Sequence, residues 1–474
     1  MWNLLKDFFI FIFTPKMNAI DRLKEIFQSD GTIRVVTHID TDGLTSASIF
    51  ISLLQHENQN FWLTTVKQLD DEVVDKLMNQ LEKQKWKAVF FLDLGSSKLA
   101  AIKKFSKYTN AFVIDHHEIR DDDASDCENF FLVNPSNYSD ERLSASSLTY
   151  LFVRDFDKNK YKKLSQLAVI GMIGDILDKN IGKNMQSIIE DAKETGMQIK
   201  KGLTVFSALR PIHKALEFSS SLFIPGVTGS QNGAVSLLED LGIDIKDKNG
   251  YRTLLDLSKE ETSKLITAIL LRRVNQGKDQ NIIDNIYLVK MMGHLRDARE
   301  ISAMTNACGR LGYSSLAVAF LLNSKKAHSK IEDVYSKYKH HIVKSLNWVN
   351  STNTIIKGSS YVIVDAKDKI KDTIIGTIIS ILSSSYIYNK GTVIIGMSYR
   401  RDNKIKVSAR IVKDKGEDSD INLERLLSDV IKITGGEIGG HRDAAGCIIS
   451  KSKEQIFIDT IKKNLSVEEI KINA

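Results

Sequence analysis

The sequence predicts an α/β protein in which a parallel-sheet domain comes first, a helical connector follows, and a smaller α/β domain closes the chain. Three observations predict it. Short apolar runs at 33–36, 88–92 and 111–114 lie between amphipathic stretches long enough for crossover helices. The stretch from about 179 to 350 loses the strand pattern and reads as helical, and β-rich runs return after Ser359.

In order, residues 21–27 predict a helix. The run 33–36 predicts a strand that leads into His38-Ile39-Asp40-Thr41-Asp42-Gly43 and then a long helical stretch. The runs 88–92 and 111–114 each end on an aspartate, Asp93 and Asp115, and complete the reading of a parallel sheet. The apolar segment 167–173, ending at Gly174-Asp175, is read as a helix. Helical runs at 260–274 and 314–322 build the connector, broken by the turn-formers Phe223-Ile224-Pro225-Gly226 and Lys248-Asn249-Gly250. Strands at 361–364, 392–397 and 404–411, with helices at 372–384 and 423–433, make the last domain. The expected boundaries are 17–215, 216–350 and 351–474. Residues 1–16, with the apolar run Phe8–Phe13, are read as a loose or non-native extension too short to span a bilayer.

Composition narrows the function classes. With 474 residues, 42% hydrophobic and 26% charged, wholesale disorder and a multi-span membrane protein are excluded. A net charge of +7 tolerates a polyanionic partner without identifying one. The three cysteines, Cys127, Cys308 and Cys447, include no close pair, which fits a reducing cytoplasm and excludes a cysteine zinc cluster. Any metal must therefore be held by carboxylates and imidazoles.

Those groups are present at the predicted strand ends, where an open parallel sheet collects its functional residues. Asp40 and Asp42 follow the first strand, Asp93 the second, Asp115-His116-His117 the third, and Asp175 lies at the end of the fourth apolar segment. One such aspartate alone would be an ordinary helix cap. Massed together they would repel one another unless cations neutralised them. Two divalent ions about 3.5–4 Å apart would clamp a phosphoryl group and lower the pKa of water, which points to phosphoester hydrolysis. Alternation along an extended segment would turn His38, Asp40 and Asp42 to one side, with Gly43 allowing a tight turn. Mixed imidazole and carboxylate ligands favour Mn²⁺ over Mg²⁺. Near the C-terminus, Gly435-Gly436-Glu437-Ile438-Gly439-Gly440-His441-Arg442 has the glycine content of an anion nest, with Arg410 as a further phosphate donor.

At these residues the chain resembles the DHH phosphoesterase superfamily. Its motifs appear as His38-Ile39-Asp40-Thr41-Asp42-Gly43, Asp93, Asp115-His116-His117-Glu118 and Gly174-Asp175. Its DHH-associated C-terminal domain appears as Gly439-Gly440-His441 with Ala444-Ala445-Gly446. Within the superfamily the chain is similar to archaeal RecJ-like single-strand nucleases, including the type that associates with the replication complex GINS. Asn306-Ala307-Cys308-Gly309-Arg310 and Pro225-Gly226-Val227-Thr228-Gly229 fit that branch. The resemblance implies an exonuclease on single-stranded DNA or RNA that uses two Mn²⁺, with Mg²⁺ as the alternative, in a cleft between two domains. It implies that His38 and Asp40 hold one ion, that Asp42, His116 and Asp175 hold the other, and that Asp93 bridges. Asp115 and His117 would support the site or the scissile phosphate, and Arg410, Gly439, Gly440, His441 and Arg442 would bind substrate phosphate. Hydrolysis of short oligonucleotides or cyclic dinucleotides, and a replisome scaffold, are the alternative functions.

Overall fold

The computed structural model describes residues 18–119, 127–135, 141–205, 207–219, 222, 224–272, 282–384, 387–413 and 421–472, the side chains of His441 and 466–472 excepted. The N-terminal run Phe8–Phe13, the turn residue Phe223 and Val274 lie outside them. The chain divides into two compact units, one of residues 1–201 and 285–335, the other of 202–284 and 336–474.

In the first unit, helix α1 (18–27) leads to β1 (Thr32–His38), α2 (Thr41–His56), β2 (Asn60–Val66), α3 (Asp71–Gln84), β3 (Ala88–Leu92), α4 (Leu99–Lys103), β4 (Asn110–Ile114) and β5 (Phe130–Val133). The five strands are parallel in the order β2-β1-β3-β4-β5. Strands β3 and β4 are apolar along nearly their whole length because both faces are covered. On one face Val36, Val89, Phe91 and Val113 pack on Leu77 and Leu81 of α3 and Ile102 of α4. On the other, Phe50 of α2, Phe90, Phe112 and Phe131 form a row of rings with centroids 4.2, 4.2 and 4.7 Å apart. Helices α5 (Ala145–Phe156), α6 (Ser165–Gly174) and α7 (Lys183–Glu194) follow, and α5 and α6 pack on α2. Segment 167–173 is thus helical, as the sequence leads one to expect.

The stretch 179–350 departs from an all-helical reading. Strand β6 (Gln198–Leu203) ends the first run. The second unit then inserts α8 (Ile212–Glu217), α9 (Gln231–Asp240), the hairpin β7 (Lys246–Asp247) and β8 (Gly250–Tyr251), and α10 (Lys259–Arg272). Strands β9 (Ile283–Met291) and β10 (His294–Asp297) pair antiparallel and join β6 in a three-stranded sheet. Their turn, Met292-Gly293, has φ +49° and +84°, the handedness that matches strand twist in a two-residue hairpin. Helices α11 (Ala298–Leu311) and α12 (Ser314–Leu321) return to the first unit, and α13 (Lys325–Ser351) leaves it.

The C-terminal part of the second unit contains β11 (Ile355–Lys357), β12 (Tyr361–Asp365), α14 (Asp372–Ser384), β13 (Val393–Tyr399), β14 (Lys404–Ile411), α15 (Leu423–Thr434), β15 (Glu437–His441), β16 (Ala444–Ser450) and α16 (Glu454–Ile472). The sheet order is β11-β12-β13-β14-β16-β15. Alternate residues of β14, Ile405, Val407, Ala409 and Ile411, enter a core with Leu427, Val430, Phe457 and Ile461 of α15 and α16. Among the described residues no helix is long and apolar enough to cross a membrane.

Candidate metal centre

The first strand delivers its acids by a route other than simple alternation. β1 ends at His38, Asp40 caps α2 by accepting from Gly43 N–H at 3.0 Å, and Asp42 lies in the first helical turn. His38, Asp40 and Asp42 are therefore gathered by a strand-to-helix turn, because capping geometry folds the chain back within two residues. Gly43 is needed for close approach and does not make the turn. It is helical, and a Cβ there would lie 2.5 Å from the His38 carbonyl oxygen.

Asp93 follows β3 with φ +59°, uncommon for a side-chain-bearing residue but tolerated by Asp. Its N–H donates to Ile114 O at 2.9 Å, and its carboxylate is buried. Asp115, His116 and His117 follow β4. Asp175 caps the C-terminal end of α6, where a negative charge is disfavoured by the helix dipole.

These side chains form contiguous groups. His38 Nδ1 lies 2.9 Å from Asp40 Oδ2 and 3.5 Å from Asp93 Oδ2. His116 Nε2 lies 3.2 Å from Asp175 Oδ2, 3.4 Å from Asp93 Oδ1 and 3.9 Å from Asp42 Oδ2. Ligand atoms of His38, Asp40 and Asp93 fall within 4.8 Å of one another, as do those of Asp42, His116 and Asp175, and those of Asp93, Asp115, His116 and His117. Asp93 Oδ1 has no properly directed hydrogen bond and is shielded from water. A buried carboxylate oxygen without a donor is costly, and a cation between the imidazole and carboxylate atoms would neutralise it, so the donor set fits divalent metal.

Electrostatics agrees. Burial and then the Asp93 charge lift Asp42 to about 6, and burial with the charges of Asp42, Asp93 and Asp40 takes Asp175 well above the carboxylate range. Burial works against His116 protonation, yet Asp93, Asp175 and Asp42 carry it up to about 10. Burial also opposes His38 protonation, and Asp40 and Asp93 more than offset it. Without a cation at pH 7 the site therefore holds protons on His38 and His116, at ring nitrogens that would bind metal. Calorimetric titration with Mn²⁺ in buffers of different ionisation enthalpy is expected to show net proton release at pH 7, with affinity rising as pH increases. Heats independent of the buffer would contradict this.

Other residues at the site have no signature in the sequence. Asp42 is clamped through both oxygens by the N–H groups of Ala145 (2.6 Å) and Ser146 (3.0 Å) at the start of α5. Asp115 accepts from Ser96 N–H at 2.8 Å and holds His117 Nδ1 at 2.7 Å. Burial would raise Asp115, but His117 and the Ser96 N–H hold it below the usual carboxylate range. Buried Asn134 donates to Ser96 Oγ at 2.7 Å and to the His117 carbonyl at 2.8 Å. Asn134→Ala strands those acceptors and is expected to cost about 1–3 kcal/mol, read as a lower melting temperature. A wild-type melting curve would contradict that role. Thr41 Oγ1 donates to Ser302 O at 2.8 Å, and Gly309 lies against Ile39, so α11 backs the same loop.

The glycine-rich stretch is a β-hairpin and not the loop nest its composition suggests. Gly439 and Gly440 lie within β15, and Arg442-Asp443 form the tip. Arg410 on β14 and His441 on β15 both register on Ala444 of the intervening β16, which brings these positions to one end of the sheet. Arg410 Nη1 donates to Ala409 O at 2.8 Å, and the Arg442 carbonyl accepts from Leu423 N–H at 2.8 Å.

The DHH family N-terminal domain matches residues 32–174, the DHH-CID domain 207–287 and the DHHA1 domain 358–466. An uncharacterized protein of Methanocaldococcus jannaschii, MJ0831, is 30% identical over 445 residues, covering 92% of this chain and 94% of its own. CDC45 from Entamoeba histolytica shares the fold with a TM-score of 0.66 at 12% identity, over 96% of this chain and 99% of that one. RecJ from Thermus thermophilus, solved in complex with Mn²⁺, gives 0.59 at 14% identity over 95% of this chain and 54% of its own. With these three domains in order, and with a fold like that of RecJ along nearly its whole length, the chain belongs to the DHH phosphoesterase family.

Proposed function

We propose that the protein is a Mn²⁺-dependent phosphodiesterase, with Mg²⁺ as the alternative metal, acting as a single-strand-specific exonuclease on DNA or RNA. The observation that carries this reading is the clustering of His38, Asp40, Asp42, His116 and Asp175 about buried Asp93, whose Oδ1 lacks a directed hydrogen bond. His38, Asp40 and Asp93 would hold one cation, and Asp42, His116 and Asp175 the other, with Asp93 shared. When bound, such a pair supplies charge neutralisation at the phosphoryl oxygens and a lowered pKa for water.

The chain's own residues supply the rest. The α5 N-terminus fixes Asp42, so its oxygens do not swing. Asp115 takes the Nδ1 proton of His117 in a hydrogen bond, which leaves Nε2 of this partly exposed ring to meet a phosphate oxygen. Burial lowers the His117 pKa, but Asp115 raises it overall, favouring the imidazolium as a donor. Arg410, Gly439, Gly440, His441 and Arg442 would bind substrate phosphate from the second unit. Replication proteins such as GINS are the partners we propose besides nucleic acid.

The test is incubation with Mn²⁺ and end-labelled single strands, 5′ or 3′, DNA or RNA. A stepwise ladder dependent on metal is expected and would also fix polarity and sugar preference. Intact strands under every condition would contradict the reading.

A further inference from the structure

Helix α6 ends in a hydrogen-bond pattern that normally takes glycine. Ile176 N–H donates to Ile173 O at 3.2 Å and Leu177 N–H to Met172 O at 3.0 Å, the paired bonds of a Schellman cap. The cap requires a left-handed residue at position 176, and φ there is +59°. A β-branched side chain is a genuine outlier in that conformation, where glycine or asparagine is the economical choice. Nor does burial of the side chain compensate, since Ile176 is 67% exposed. A strained, β-branched, apolar residue thus stands in solvent immediately after Asp175, whose carboxylate lies 3.2 Å from His116. Backbone strain of this kind, without a local packing gain, clusters at functional sites.

We propose that Ile176 is a substrate-contacting residue whose side chain packs on the nucleobase of the nucleotide next to the scissile phosphate. This inference rests on the phosphodiesterase reading above. An aliphatic surface offers no hydrogen bonds, so it would grip any base by its apolar face without reading sequence. It would also favour an unpaired nucleotide, whose face is free, over one stacked in a duplex.

The experiment compares wild type with Ile176→Asn, Ile176→Gly and Ile176→Leu. The probes are end-labelled oligothymidylate and the same strand with an abasic tetrahydrofuran residue at the end that is degraded. Ile176→Asn and Ile176→Gly are expected to raise KM for the normal strand roughly tenfold, with kcat within about twofold. They should show no further penalty for the missing base, whereas wild type should show that tenfold penalty. Ile176→Leu, which keeps an apolar side chain, should retain wild-type KM. Ile176→Asn should melt at or above the wild-type temperature, because the left-handed cap then carries a residue that tolerates it. Wild-type KM values in the Asn and Gly variants would overturn the contact, and a clearly lower melting temperature for Ile176→Asn would overturn the strain argument. If the wild-type chain cleaves no phosphodiester at all, the phosphodiesterase reading fails and this inference with it. Cleavage by wild type with unaltered variants overturns the inference alone.

Discussion

Asp93→Asn is expected to lower hydrolysis by about three orders of magnitude or more while leaving the fold in place. Asparagine tolerates the left-handed backbone that position 93 adopts at φ +59°, and its volume matches. What changes is charge. Asp93 stands between the group with His38 and Asp40 and the group with His116, so neutralising it weakens both halves at once. Without a cation Asp93 is the carboxylate partner of protonated His38 and His116, so the same variant should also melt below wild type in the absence of metal. Steady-state turnover and thermal melts, each with and without Mn²⁺, check both halves. Turnover within tenfold of wild type would remove Asp93 from the mechanism.

The second large effect concerns a residue distant in sequence. Gly309→Ala places a Cβ 1.7 Å from the Ile39 carbonyl oxygen, a backbone atom that cannot move without displacing His38 and Asp40. Overpacking of this kind costs about 1–3 kcal/mol where side chains give way, and more where backbone must move. Gly309→Ala is therefore expected to lose roughly 3 kcal/mol or more, seen as a shift of the denaturant midpoint at unchanged slope. It should also weaken Mn²⁺ binding, since the strained loop carries two of the ligands. A midpoint equal to wild type would show that α11 does not press on the loop as described.

These two sites illustrate what the sequence makes legible. Asp93 and Asp115-His116-His117 follow fully apolar runs, so both the strands and their chemistry could be read locally. The convergence at Asp42 could be anticipated, but its mechanism could not. The helix turn at Thr41 is a local cap by Asp40, whereas the clamp from Ala145 and Ser146 reaches across about a hundred residues. Strand β2 is half exposed at the sheet edge and β5 is only four residues long, so neither carries a strong pattern of its own. The three-stranded sheet of β6, β9 and β10 joins segments some eighty residues apart, which no local periodicity encodes. Glycines at 439 and 440 suggested a loop because composition cannot distinguish a nest from a hairpin in which Gly440 must clear the Ala444 carbonyl. Gly309 sits in a stretch that served only to mark a family branch, while its role is a backbone contact invisible before the fold is known.

The central claim is that two divalent cations reside on either side of Asp93, and anomalous diffraction from Mn²⁺-soaked crystals at the manganese edge tests it most directly. Two peaks are predicted, one within bonding distance of His38, Asp40 and Asp93, the other of Asp42, His116 and Asp175. An absence of anomalous density among these side chains would contradict the account.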